Sequence, residues 1–280
     1  LLAEQQFDGC DPALAVVNLR QMPSMGRSCG GEMTKQTTKT PDISDVQLHV
    51  AGDMGVLVGF GEQYDPVINN AVMAFDAAFS ALALDGVLET VPSFRSLLVR
   101  FDPLELAYER LVDVLSNLVA RENWFTAPPP KNRKTWILPV VYGADFGPDL
   151  DEVADLMGLR ADQVIDSHCA QPLTVAMLGF SPGLAYLGQL PEIWQFPRRT
   201  EITPKVPAGA ILTAVRQTVL PATDIPTGWR QIGQTPFRSF NPDCKTPFLL
   251  SPGDSVKFTP VNSSAYTAFD MGQYLQETGR

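Results

Sequence analysis

The chain has 280 residues, enough for two ordinary domains, with 45% hydrophobic residues and a mean hydropathy near zero. No apolar run approaches the roughly 20 residues of a membrane span, which argues against insertion in a bilayer. With 31 acidic and 21 basic side chains the formal charge is −10, and no basic cluster longer than residues 131–134 interrupts it, which argues against nucleic-acid binding.

Residues 1–45 lack sustained periodicity and include a Thr/Lys/Gln-rich run at 34–40, the signature of a mobile leader. Glu4, Asp8, Asp11 and Glu32 speak against a transit peptide. From Val46 the alternation of Val46, Leu48 and Val50, a Gly52-Asp53 turn and the run Val56–Phe60 predict a hairpin. Asp65-Pro66 reads as an N-cap followed by the first helical residue, with Ile68, Val72, Phe75, Phe79 and Leu82 on one face. Two strand signals follow, at Val87–Val91 and Ser96–Phe101. A second Asp-Pro cap at Asp102-Pro103 then predicts a helix with an apolar stripe of Leu104, Ala107, Leu111, Leu115 and Leu118. Strands interleaved with two helices define a small α/β domain over 46–127.

The proline-rich stretch 127–132 reads as a stiff linker. Beyond it Trp136–Tyr142 is an apolar strand, and Gly147-Pro148-Asp149 opens a short helix through Met157 that closes at Gly158. From Leu173 to Pro260 short apolar runs alternate with Gly and Pro every eight to twelve residues or so, the pattern of a barrel or sandwich. The second domain, 128–270, is therefore mainly β, and the fold class is α+β.

Cys10, Cys29, Cys169 and Cys244 are scattered without metal-ligand spacing and no secretory signal precedes them, so they read as reduced thiols of a cytoplasmic protein. Cys169 beside His168 invites a thiolate–imidazole pair, but neighbours on a strand would point to opposite faces, leaving a buried or idle thiol. Gly179-Phe180-Ser181-Pro182-Gly183 fits the nucleophile-elbow pattern G-x-S-x-G. The elbow reading fails on chemistry, because Pro182 has no N–H for an oxyanion hole and both histidines, His49 and His168, precede Ser181. Three glycines and a proline in ten residues instead predict a shaped loop that lets a ligand approach the backbone.

The order His168, Gly179-Phe180-Ser181-Pro182-Gly183-Leu184-Ala185-Tyr186-Leu187-Gly188, Pro197-Arg198, Val206-Pro207-Ala208-Gly209, Gln217-Thr218, Gly228-Trp229, Gly233-Gln234-Thr235-Pro236 and Pro252-Gly253-Asp254 resembles the KipI / allophanate hydrolase subunit 1 family. The resemblance spans about Val46 to Val261. It implies a small α/β domain followed by a cyclophilin-like β-barrel, and a partner chain of the KipA / allophanate hydrolase subunit 2 type. Among bacterial members it implies a subunit of ATP-dependent 5-oxoprolinase, working with a third subunit to open 5-oxoproline to glutamate. ATP would then act at the level of the complex, with none bound by this chain alone, since no P-loop occurs here. Two other roles belong to the same resemblance, inhibition of a sensor histidine kinase and the carboxyltransferase-like part of a urea carboxylase or allophanate hydrolase system. The chain departs from the family at Lys205, where an arginine is usual, and at Val219 and Thr227, where glycines are usual.

Combined with residue chemistry, the resemblance singles out His168 for proton transfer or hydrogen bonding and Tyr186 for orienting a carbonyl. Arg198 and Lys205 would hold an anionic substrate group and Gln217 a lactam or urea-like amide. Phe180, Pro182, Gly183, Pro207, Ala208, Gly209 and Trp229 would line the substrate pocket. No His/Cys/carboxylate cluster with ligand spacing stands near them, so no metal is expected.

Overall fold

A hairpin, β1 (Gln47–Val50) and β2 (Gly55–Gly59), opens the computed structural model, which describes residues 43–129 and 133–277. The expected leader, apart from residues 43–45, and linker residues 130–132 lie outside the described residues. The Asp65 carboxylate then accepts the Val67 amide at 2.7 Å, and Pro66 fills the first turn, where its missing N–H leaves no bond unmade. These two residues start α1 (Pro66–Ser80) where the sequence predicts. Strands β3 (Val87–Pro92) and β4 (Ser96–Phe101) complete an antiparallel sheet of order β1-β2-β4-β3.

The second helix, α2 (Tyr108–Arg121), begins later than the Asp-Pro pair predicts. Asp102 does bond the Leu104 amide at 2.9 Å, but it caps a turn, and Leu104 is left 94% exposed. Ala107, before the helix, is exposed as well, and Leu106 is buried instead; the rest of the expected face holds, with Leu111, Leu115 and Leu118 buried with Val72, Phe75, Phe79, Val56, Val58, Leu97, Val99 and Phe101 in one core. Phe60, Phe75 and Trp124 meet edge to face at its end, at 5.3 and 5.2 Å between centroids.

The chain then builds β5 (Thr135–Tyr142), α3 (Leu150–Met157) and α4 (Ala161–Cys169). Gly158, in the left-handed region at φ 65°, closes α3 as the sequence predicts. Strands follow at β6 (Leu173–Leu178), β7 (Ala185–Gly188), β8 (Thr203–Val206), β9 (Ala210–Ala214), β10 (Gln217–Leu220), β11 (Ile225–Thr227), β12 (Arg230–Gln234) and β13 (Ser255–Pro260). Two short helices, α5 (Ser263–Ala268) and α6 (Met271–Glu277), end the described chain. Seven strands close a barrel in the order β10-β7-β6-β13-β5-β12-β9, while β8 and β11 pair separately. All barrel pairings are antiparallel except β13 with β5, which run parallel in register from Ser255 beside Thr135 to Pro260 beside Val140. The α+β reading, a small α/β domain ahead of a β-barrel, is thus what the chain adopts.

Two details explain how this sequence tolerates its departures from glycine. Val219 lies buried within β10, and Thr227 lies in β11 with its hydroxyl accepting the Trp229 amide at 3.1 Å; β-branched residues suit both places. The β9–β10 turn has two non-glycine residues at positive φ, Val215 and Arg216. Such backbone is uncommon for a β-branched residue, and here the preceding loop holds it from outside. The Val215 amide bonds the Phe196 carbonyl, the Arg216 amide the Trp194 carbonyl, and the Arg216 guanidinium the Leu190 carbonyl.

Candidate functional site at the face between the small domain and the barrel

Cross-strand register divides the predicted residues between two sides of the barrel wall. Gln217 stands opposite Gly188 and Val219 opposite Tyr186, so these four share one face, while Thr218, Leu220, Ala185 and Leu187 share the other. The first face meets the small domain. Tyr64 and Phe94 come from that domain, Tyr186 and Trp229 from the barrel, and their rings run in sequence at 5.1, 5.6 and 6.3 Å between centroids, each pair edge to face. At the far end the Arg198 guanidinium lies 5.2 Å over the Trp229 ring. Arg198 is half-buried and has no carboxylate partner among the described residues. Burial raises the Tyr186 phenol pKa, partly offset by the Arg198 charge, so the group stays a protonated donor.

Asn69 on α1 joins the two domains at this face. Only 3% exposed, its side-chain amide donates to the carbonyls of Ser93 at 3.1 Å and Phe94 at 3.3 Å within the small domain, and to that of Ala176 in the barrel at 3.0 Å. The Ser93 hydroxyl adds a contact of 3.3 Å to the Met177 sulfur. Tyr64, Phe94 and Asn69 were not singled out by the sequence. An asparagine in the first turn of a helix reads as an ordinary polar surface residue, and only the distant carbonyl of Ala176 gives it a role.

His168 belongs to the opposite side. It is 1% exposed, with Nδ1 2.8 Å from the Tyr142 hydroxyl and Nε2 2.9 Å from the Thr218 hydroxyl, and it stacks on Phe258 at 4.9 Å. Burial pushes its pKa down to about 3, so the ring is neutral. It therefore reaches the Tyr186 and Gln217 face only through Thr218, the neighbour of Gln217. His168 and Cys169 sit on helix α4, not a strand, and both reach Tyr142, whose hydroxyl is 3.4 Å from the Cys169 sulfur. Burial raises the Cys169 pKa, which opposes thiolate character.

The loop before β7 is tightly seated. Gly183 has φ 73°, and a Cβ there would lie 2.4 Å from the Phe240 Cβ. Its carbonyl accepts the Ser239 hydroxyl at 2.7 Å. Phe180, at φ 72°, projects 58% exposed from the loop tip beside exposed Pro182. The Ser181 hydroxyl is buried without a hydrogen bond among the described residues, and both His168 nitrogens are engaged elsewhere. The loop Pro207–Gly209 is fixed from several sides. The Ala208 amide bonds Asp224, and its carbonyl accepts from Gln234 and Arg238, each at 3.3 Å. Lys205 is exposed and paired with Asp224 at 2.9 Å. The structure thus groups Tyr186, Trp229, Arg198 and Gln217 around one face, sets His168 behind the wall, and leaves Phe180 and Lys205 at the surface.

Among the described residues no helix is long and apolar enough to cross a membrane, and no group of three His, Cys, Asp or Glu could hold a metal ion.

A closed barrel preceded by a four-stranded α/β domain carries these residues, and the sequence match places the whole among carboxyltransferase-type modules. The chain belongs to the family of the carboxyltransferase domain, subdomains C and D, whose pattern matches residues 46–250. It is 34% identical over 231 residues to a 5-oxoprolinase subunit of Bacillus subtilis (strain 168), covering 80% of this chain and 96% of that protein. Identity to the corresponding 5-oxoprolinase subunit of Escherichia coli O157:H7 is 39% over 181 residues, 63% of this chain and 79% of that one. Among solved structures it resembles TTHA0988, with a TM-score of 0.65 and 32% identity over 75% of this chain. This chain spans only 40% of TTHA0988. Urea amidolyase of K. lactis shares the fold, with a TM-score of 0.67 at 18% identity over 86% of this chain and 17% of that one. The family resemblance carried by the sequence motifs is borne out.

Proposed function

We propose that this chain is one subunit of an ATP-dependent assembly that opens a cyclic amide, most like 5-oxoprolinase, and that it is inactive without its partners. The observation that carries this reading is the alignment with 96% of the length of the Bacillus subtilis 5-oxoprolinase subunit. Site geometry supports it. Arg198, unpaired and stacked on Trp229, would take the carboxylate of 5-oxoproline, and the protonated Tyr186 phenol would donate to the lactam carbonyl. Gln217 would read the ring amide, and His168 would act as a positioning residue through Thr218. The loops at Phe180–Gly183 and Pro207–Gly209 would frame the entrance, and Lys205 would reach an anion only by leaving Asp224. ATP is bound at the level of the cytoplasmic complex, which includes a KipA / allophanate hydrolase subunit 2-like chain and a third subunit.

The test is ADP release with 5-oxoproline, measured on the complex that copurifies with this chain. We expect lactam-dependent release, with Arg198→Ala raising KM for 5-oxoproline about tenfold or more through loss of a charged hydrogen bond. Absence of release from a complex that contains the partner chain overturns the assignment.

A further inference from the structure

A cleft of about 460 Å³ opens at the Tyr64 end of the inter-domain face, between the first turn of α1, the segment after α2 and the barrel wall at Pro172, Thr174 and Gly188–Gln189. That size suits a small organic ligand. Met73 and Phe125 give it an apolar wall, and Tyr64 and Arg133 supply two polar groups. The Tyr64 ring edge and hydroxyl lie beside Gly188: a Cβ built on that glycine would be 3.7 Å from the hydroxyl and 3.6 Å from the Gln217 side chain. Neither the Tyr64 hydroxyl nor the exposed Arg133 guanidinium has a hydrogen-bond or ion-pair partner among the described residues. Burial, then the neighbouring Asp65 charge, pushes the Tyr64 pKa up to about 12, so its hydroxyl is a donor at neutral pH. Among the described residues no aspartate or glutamate lines the cleft, although the chain carries a net charge of −10.

We propose that this cleft is a second ligand site, which takes a small carboxylate with a flat apolar or amide body. Arg133 engages the carboxylate, Tyr64 donates a hydrogen bond to it, and Met73 and Phe125 cover the body. The site stands apart from Arg198, which lies at the opposite end of the aromatic run from Tyr64. It goes beyond the proposed ring-opening reaction and does not depend on it.

The experiment titrates the full chain, without partners, with benzoate beside benzamide, its uncharged carboxamide, and reads heat or saturation-transfer NMR. We expect saturable binding of benzoate and a carboxamide weaker by about tenfold or more, the value of one charge-assisted pair. Arg133→Gln weakens the carboxylate by a similar factor, Tyr64→Phe by several-fold, and Arg198→Ala leaves it unchanged. Circular dichroism of each variant confirms folding. No saturable binding of benzoate overturns the proposal, and so does benzoate affinity lost in Arg198→Ala but kept in Arg133→Gln. Failure of ADP release in the complex leaves these titrations unaffected, so the two readings fail separately.

Discussion

A neutral histidine sealed in a barrel makes stability depend on pH in one direction. The His168 pKa of about 3 in the folded chain lies below the 6.5 of an unfolded histidine, so protons favour the unfolded state. Its contribution is complete above pH 6.5 and is lost at about 1.4 kcal/mol per pH unit as the pH falls from there toward 3. Urea midpoints at pH 7.5 and 5.5 should differ measurably, and His168→Gln should flatten that difference while costing about 1–3 kcal/mol at pH 7.5 from its severed bonds to Tyr142 and Thr218. Equal pH slopes in both proteins would refute the assignment. The residue itself was legible, being one of two histidines; its depth was not. The stretch Ala161–Cys169 offers few apolar positions from which to infer a helix, and burial comes from Thr218 and Phe258, some 50 and 90 positions away.

Elements were legible wherever local chemistry decides them. Asp65 with Pro66, and Gly158 at positive φ, mark helix ends through bonds made within a few residues. The same rule misplaced the start of α2, because an Asx-type turn at Asp102 uses the same residues as a cap. The loop before β7 was legible as a loop, and its structure explains its glycine. Gly183→Ala must both hold a side chain at φ 73° and press on Phe240, at a cost of about 2–4 kcal/mol. A thermal melt should show a drop of several degrees; an unchanged melting temperature would mean that the loop yields freely.

At the scale of the molecule, two apolar cores are joined through a face held by Asn69, Phe94 and Tyr186. No sequence pattern announces this joint, since its polar link bridges residues 107 positions apart. Asn69→Ala removes the donor that three carbonyls share, leaves the buried Ala176 carbonyl without it, and should cost about 2 kcal/mol. We expect denaturant unfolding to be a single transition in the unaltered chain and to split in two in this variant; a single transition in both would show that the aromatic contacts alone couple the domains. The parallel pairing of β5 with β13 has a further consequence during synthesis. The first and last barrel strands lie side by side, so the ring cannot close until about residue 260 has left the ribosome, whereas the small domain is complete by residue 127. For that interval the nascent chain carries a finished domain beside an open sheet, and the face around Asn69 is ready before the surface it will meet has been made.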